Sequence, residues 1–322
     1  MKNRKIKRAL LFMGVVVTFF IIGISVYSYS VYHTAEDTVE IMYEEKKVSK
    51  KRVQKVEVEE LSPISIALFG VDERKYDTGR SDTIIILTVN PNTETTYMVS
   101  IPRDTRTEIA GKSIEDKINH AYAFGGTDMA IETVENFLDI PIDYFIKVNM
   151  DGFKEAVDAI GGVKIQNELS FKNGGYTFNE GELNLDGPKA LAFSRMRKND
   201  PLNDFGRQER QKALIKAMIQ KGTSISSLTR FDDLFQVLGK NVKTNLTFSE
   251  ILEIQKQYRD AGKNIEQLEV KGKDQYIDGI YYYRVNEEEK KTLTQKLRSH
   301  LELEKDEVNI LNESEPAPLG GD

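Results

Sequence analysis

The sequence predicts an α/β architecture, a central mixed β-sheet flanked by helices on both faces and preceded by a single N-terminal transmembrane helix. Three observations carry this. Short apolar runs bounded by turn residues, such as 64–69 and 84–89, alternate along the chain with longer segments of helical period. One sheet covered by helices satisfies that alternation. Residues 9–32 carry no charge at all, and the run exceeds the roughly 20 residues needed to cross a bilayer.

Taken in order, residues 1–8 hold five basic groups and no acid, a flank expected to stay in the cytoplasm and leave the rest of the chain outside. Tyr27, Tyr29 and Tyr32 crowd the outer end of the apolar run, where an interfacial belt belongs. A cleaved signal peptide would have a shorter apolar core and a small-residue cleavage site; none is evident, so 9–32 is taken as an uncleaved signal-anchor. Residues 33–60 are charged, with signs alternating at Glu44–Lys47, and predict a helical or extended stalk. A basic patch resting on anionic lipid or polymer is the other reading of that segment.

The folded domain is expected over 61–306, opening near Ser62-Pro63. Ile64–Phe69, Ile84–Val89 and Thr96–Ile101 predict three strands, the last two separated by a Pro91-Asn92 turn. Thr127 or Asp128 caps a helix to about Leu138, and Tyr144–Val148 alternates as a strand. Asp151 caps a helix that stops at Gly161-Gly162. Val163–Ile165 is a short strand before loop-rich sequence. Asp186-Gly187-Pro188 starts a helix leading into Arg195, and a longer helix, apolar at Leu214, Ile215, Met218 and Ile219, follows Asp204 as N-cap. Phe231–Leu238, Ser249–Ala261 and Glu287–Leu303 predict helices; Gln267–Val270 and Ile280–Tyr283 predict strands. The tail, 307–322, is rich in Pro and Gly and predicted disordered.

Composition narrows the function. A net charge of −6 argues against nucleic acid as a partner. With no cysteine, disulfides, thiol catalysis and Cys-based metal sites are excluded. The three histidines, His33, His120 and His300, are too dispersed for a zinc site. Tryptophan is absent, so any carbohydrate-stacking surface has to use Tyr and Phe. No Walker motif, dinucleotide fingerprint or GxSxG elbow is present.

The chemistry gathers where strands end. Asp72 follows the first strand, Asp82 opens the second, and Arg103-Asp104 leaves the third. Arg80 precedes Asp82. Arg195 and Arg197 are two apart, which puts both on one face of an extended segment. Arg207, Arg210 and Gln211 share one face of a helix, with Arg207 in its first turn, where a cation opposes the helix dipole unless an anion is bound. Two carboxylates with several arginines make a poor core and a good diphosphate receptor. Magnesium, or manganese with the same oxygen preference, binds through one or two carboxylates plus phosphate oxygens. Arginine forks take the remaining oxygens. Arg74, Arg106 and Arg210 are expected in surface ion pairs instead.

Gly79–Thr83, Ile101–Thr105, Lys117–Tyr122, Arg195-Met196-Arg197 and Asp204–Gln211 occur in the order that resembles the LytR-CpsA-Psr family, over roughly 60–304. The resemblance implies an extracellular, membrane-anchored phosphotransferase. Such enzymes move an anionic glycopolymer, such as wall teichoic acid, from an undecaprenyl-diphosphate carrier to the C6 hydroxyl of N-acetylmuramic acid in peptidoglycan. Carried over by motif, Asp72 and Asp82 bind magnesium, with Asp77 the alternative to Asp72. Arg80, Arg103, Arg195, Arg197, Arg207 and Gln211 hold the diphosphate, and Asp82 or Asp104 is the candidate base beside Arg103. A tunnel of apolar side chains takes the polyprenyl tail. Hydrolysis of the lipid diphosphate would use the same residues. A non-catalytic polymer receptor fits less well, because paired carboxylates add nothing to polyanion binding without a metal between them. A cytoplasmic transcriptional regulator fits least, given the expected anchor and the lack of a basic helix-turn-helix.

Overall fold

The computed structural model describes residues 29, 32–52, 56–72, 79–198, 200–224, 239 and 241–303. The expected span 9–32 lies outside these apart from Tyr29 and Tyr32, as do Arg74, Asp77, the predicted helix 231–238 and the tail 307–322. Among the described residues no helix is long and apolar enough to cross a membrane.

Strands β1 (Ile64–Val71), β2 (Ser81–Asn90) and β3 (Thr95–Ser100) form an antiparallel meander, as the apolar runs predict. After it come the hairpin β4 (Arg106–Ile109) and β5 (Ile114–Lys117), helix α1 (His120–Leu138), strand β6 (Tyr144–Val148) and helix α2 (Met150–Ala159). Strands β7 (Val163–Asn167), β8 (Phe171–Asn173), β9 (Tyr176–Phe178) and β10 (Gly181–Leu185) lead to helices α3 (Gly187–Arg195) and α4 (Asp204–Ser224). The chain continues through β11 (Val242–Thr244), α5 (Phe248–Gln257), β12 (Ile265–Glu269), β13 (Gly272–Ile277), β14 (Ile280–Val285) and α6 (Glu287–His300).

The main sheet runs β11-β6-β1-β2-β3-β12. It is mixed: β6 is parallel to β1 and β12 is parallel to β3, and the other pairs are antiparallel. The period-2 alternation of β1 sends Ala67, Phe69 and Val71 to one face and Ile64 and Ile66 to the other. The first face is covered by α1 and α6 through Val134, Phe137 and Leu297. Ile215 and Ile219 of α4, with Ile251 and Ile254 of α5, cover the second. A third cluster joins α2, α3 and the small strands to α4 through Val157, Phe178, Phe193 and Leu214.

Several expectations change. The segment after residue 32, expected as a helical or extended stalk, is helical over 32–42 but packs on the domain, with Ala35, Val39 and Met42 against Val242 and Phe248. These three apolar positions follow helical spacing but are hidden among charges in the sequence. Tyr43 bridges Thr244, and Arg52 forms a shielded ion pair with Asp143 at 2.7 Å. Helix α1 begins at His120, and the Thr127 start marks only the turn after a kink at Gly125-Gly126, where Gly126 has φ +66°. Asn149, not Asp151, caps α2 by accepting from the Gly152 N–H. Thr247, not Ser249, caps α5 in a reciprocal box with Glu250. Asp186 caps α3 as expected. The β4–β5 hairpin, β8–β9 and β13 escape sequence reading because they are short and carry no run of apolar residues.

His300 closes α6 in a satisfied polar knot. Its ring nitrogens meet the hydroxyls of Thr88 at 2.8 Å and Thr95 at 2.9 Å. Burial, with Lys296 nearby, pushes its pKa down to about 4.

Candidate active site

The site is built at the end of the β1–β2 ladder. Gly70 pairs with Thr83 but Val71 pairs with Ser81, so Asp82 is the extra residue of a β-bulge. A bulge re-aims a side chain that regular pairing would hold in line. The Arg80 carbonyl accepts from both the Asp72 N–H (3.3 Å) and the Asp82 N–H (3.1 Å), fixing the two acidic residues against each other. Gly70 sits close against that register, where a Cβ on it would lie 3.0 Å from the Thr83 Cβ.

Arg103 sits in a turn closed by the Thr105 N–H donating to the Pro102 carbonyl at 2.9 Å. The Lys117–Asn119 stretch braces that turn, since the Ile118 N–H donates to the Thr105 carbonyl and the Asn119 N–H to the Arg103 carbonyl. Arg103 donates to Asp82 at 2.7 Å and lies 3.8 Å from Asp204. Burial works against its charge, but Asp82, Asp204 and Asp104 outweigh that and raise its pKa. Asp204 also meets Arg207 at 3.0 Å and Arg197 at 3.6 Å. Arg207 is pushed down by burial, and by Arg103 and Arg197 against the pull of Asp204. Among the described residues, Arg103 Nε, Arg207 Nε and Asp204 Oδ1 are buried without a hydrogen-bond partner. Buried polar atoms left in that state are costly and call for a reason.

A cavity of about 340 Å³ opens against this cluster. Asp72, Asp82, Arg103, Arg195, Arg197, Arg207 and Gln211 all line it. Leu68, Ile85, Phe153, Leu191, Leu214 and Ile215 give the same cavity an apolar lining. Sequence reading could not name that lining, because these residues come from five elements that only the fold brings together.

Two expected site residues are placed elsewhere. The Arg80 side chain is exposed and does not line the cavity. Asp104 stands behind Arg103, bonded to Lys117 at 2.6 Å, and is not in the cavity wall. Arg195 is the last residue of α3, its guanidinium against the Met150 sulfur at 3.3 Å, and not part of an extended segment. It reaches the cavity together with Arg197 because Met196 turns to an extended conformation and is buried between them. Arg210 is not in a surface pair: it is buried, bonded to Asp200 and to the Phe193 and Met196 carbonyls. Arg106 does pair at the surface, with Glu115.

Asp204, expected only as a helix cap, is a site residue. It is the first residue of α4, not a cap, and holds three arginines around one carboxylate. Its i,i+3 spacing to Arg207 was the available signal. Gly206 is explained by its neighbour, since a Cβ there would lie 2.0 Å from the Asp200 carboxylate.

Among the described residues no group of three or more His, Asp or Glu gathers as a metal cage. The donor set facing the cavity is two carboxylates, Asp72 and Asp82, and the second carboxylate oxygen of Asp82 is not engaged by the Arg103 bond. That set suits magnesium, which takes few protein oxygens and fills its shell with phosphate and water.

A model of the LytR_cpsA_psr family matches residues 25–299. The polyisoprenyl-teichoic acid–peptidoglycan teichoic acid transferase TagU of Bacillus subtilis (strain 168) is 48% identical over 301 residues, 94% of this chain and 98% of that protein. The crystal structure of B. subtilis TagU is 49% identical with a TM-score of 0.62, over 74% of this chain and 97% of that one. A structure of TagT bound to LIIa-WTA is 31% identical with a TM-score of 0.68, over 79% of this chain and 96% of that one. With the model covering most of its length, this chain belongs to the LytR-CpsA-Psr family.

Proposed function

We infer that this protein is a transferase that moves a teichoic acid from a polyisoprenyl carrier to peptidoglycan. One observation carries the reading beside the family membership: four arginines and two carboxylates line the same cavity as a set of apolar side chains. That combination fits a ligand with a diphosphate head and a hydrocarbon tail, here undecaprenyl diphosphate carrying the polymer. The names of the relatives give the polymer and its acceptor.

In the reaction, an acceptor hydroxyl attacks the phosphorus that bears the polymer, and we assign it to C6 of N-acetylmuramic acid. The new P–O bond forms as the bond to the bridging oxygen breaks, and the electron pair leaves with the lipid monophosphate. Arg103 and Arg207 hold the equatorial and leaving oxygens, with Arg195, Arg197 and Gln211 around them. The unsatisfied Nε donors of Arg103 and Arg207 fit this role, because phosphate oxygens supply the missing acceptors. A loose phosphoryl transition state asks little of a base. Of the two candidates, only Asp82 is in the cavity wall, and as an ion-pair partner of Arg103 and a metal ligand it is not also a free base, so the hydroxyl proton passes to the departing phosphate. Asp104 positions Arg103 instead. Magnesium, held by Asp72 and Asp82, would neutralise charge on the diphosphate.

For localisation we propose a single-pass anchor at 9–32 with the basic tail 1–8 in the cytoplasm and the domain 61–306 outside. The anchor keeps the cavity near a lipid substrate and raises its effective concentration.

The test uses the full-length chain in detergent with a polyprenyl-diphosphate teichoic precursor, magnesium and uncrosslinked glycan. Polymer attached to glycan, lost in Arg103→Ala and Asp82→Ala and on chelation, is the expected result. Release of lipid phosphate without glycan product would turn the reading to hydrolysis. Binding without turnover, indifferent to both substitutions, would leave a receptor.

A further inference from the structure

The two-stranded ribbon β13–β14 stands beside the cavity and has no part in the chemistry above. Backbone contacts tie it there. The Tyr283 N–H donates to the Asp104 carbonyl at 2.9 Å, and Thr105 bridges Tyr283. The Tyr283 ring meets Phe205 edge-on at 5.4 Å, one residue along from Asp204. Strand pairing sets Asp274 opposite Tyr283 and Tyr276 opposite Tyr281, so these four share one face of the ribbon.

That face is graded. Tyr283 is buried at its inner end, whereas Tyr276 at the outer end is 72% exposed. The Tyr276 and Tyr281 rings meet edge to face at 5.6 Å, which holds both in place. The Tyr281 hydroxyl donates to Asp274 at 2.9 Å. Burial first, then that bond and the fields of Asp274, Asp104 and Asp204, push the Tyr281 phenol up, so it stays neutral within the field of the site's acids.

The chemistry of the face selects its ligand. Exposed Asp274 and Asp278 repel a polyanion such as the teichoic chain, and the nearby Lys117 ammonium, 5.8 Å from the Tyr281 ring centroid, is already paired with Asp104 at 2.6 Å. A hydrocarbon chain would desolvate the same carboxylates and the phenol hydroxyls without bonding them. A sugar ring satisfies both halves: its C–H face lies on a phenol ring, and its hydroxyls donate to the carboxylate. We propose that the Tyr276–Tyr281 face, with Asp274, is the acceptor subsite, which holds the neutral glycan strand and brings a sugar hydroxyl to the cavity from the Asp104 and Phe205 side. The proposal rests on the transferase reading and adds where the acceptor lies.

The full-length chain in detergent tests it. Transfer is measured against glycan concentration at saturating lipid-diphosphate donor, and against donor at fixed glycan. Tyr276→Ala and Tyr281→Ala are expected to raise the half-saturating glycan concentration roughly three- to tenfold, the loss of one aromatic contact. The half-saturating donor concentration should stay within about twofold of wild type by the same scale. Tyr276→Phe, which keeps the ring, should behave as wild type, and matched melting temperatures show that each variant is folded. Cosedimentation with insoluble glycan stripped of teichoic acid should weaken in the same order without donor present. An unchanged glycan dependence in both alanine variants overturns the proposal, and so does a donor requirement that rises in step with the glycan requirement. If the wild type forms no glycan-linked product at all, the transferase reading fails. Cosedimentation still decides the subsite in that case, equal retention of wild type and Tyr276→Ala overturning it.

Discussion

Arg207 and Arg210 stand one turn apart on the same helix, and their side chains are almost equally buried, at 11% and 10% exposure. Everything else about them differs. Arg210 is closed: it donates to the Asp200 carboxylate and to two backbone carbonyls. Arg207 has Asp204 on one side and a buried Nε that meets no acceptor among the described residues. Burial therefore does not separate a structural arginine from one that waits for a ligand. The separation lies in whether the protein has supplied all the acceptors, because an unmet buried donor persists only where something else repays it.

Breaking each member of the pair should show opposite phenotypes. Arg210→Met leaves Asp200 buried without its cation and is expected to cost about 3–5 kcal/mol of stability. Urea unfolding measures this, and a midpoint near wild type would refute the closed description. Arg207→Ala should lower the turnover rate by about 10²–10³ with the melting temperature little changed, the scale of losing one charge-stabilising donor. A loss of stability with turnover intact would reverse the assignment.

The His300 knot extends the comparison to a group that is satisfied while neutral. Its folded pKa of about 4 lies below the 6.5 of a free imidazole, so the unfolded chain takes up the proton first as pH falls. The contribution is full above pH 6.5 and is lost as pH falls toward 4, by about 3 kcal/mol. Unfolding at pH 7, 5.5 and 4 measures it, and His300→Gln should flatten the profile in that window. The smallest effect belongs to Gly206→Ala, which presses a methyl onto the Asp200 carboxylate and should cost about 1–3 kcal/mol. Because it works through Asp200, it should add little to Arg210→Met in the double variant.

The same pair marks the limit of sequence reading. Strands β1, β2 and β3 were legible because each is an apolar run with a turn at its end. The arginines were legible as a set from spacing and from the family resemblance. What divides Arg207 from Arg210 is the carbonyls of Phe193 and Met196, which reach α4 only through the packing of α3. Asp204 offered a cap signature that the fold uses otherwise. The helical segment 32–42 was hidden because its few apolar residues sit among charges, and their partners, Val242 and Phe248, lie some 200 residues away.

The bulge at Asp82 makes this carboxylate an irregularity of register and not of composition. Deleting residue 82, unlike substituting it, would let Ser81 and Thr83 follow one another along β1 as ordinary ladder partners. The sheet would become more regular, and Arg103 would lose its partner at 2.7 Å. A single lost codon thus leads from this chain to a sibling of the same fold that keeps its arginines and its grip on anions but has only one acid, Asp72, left in the cavity wall.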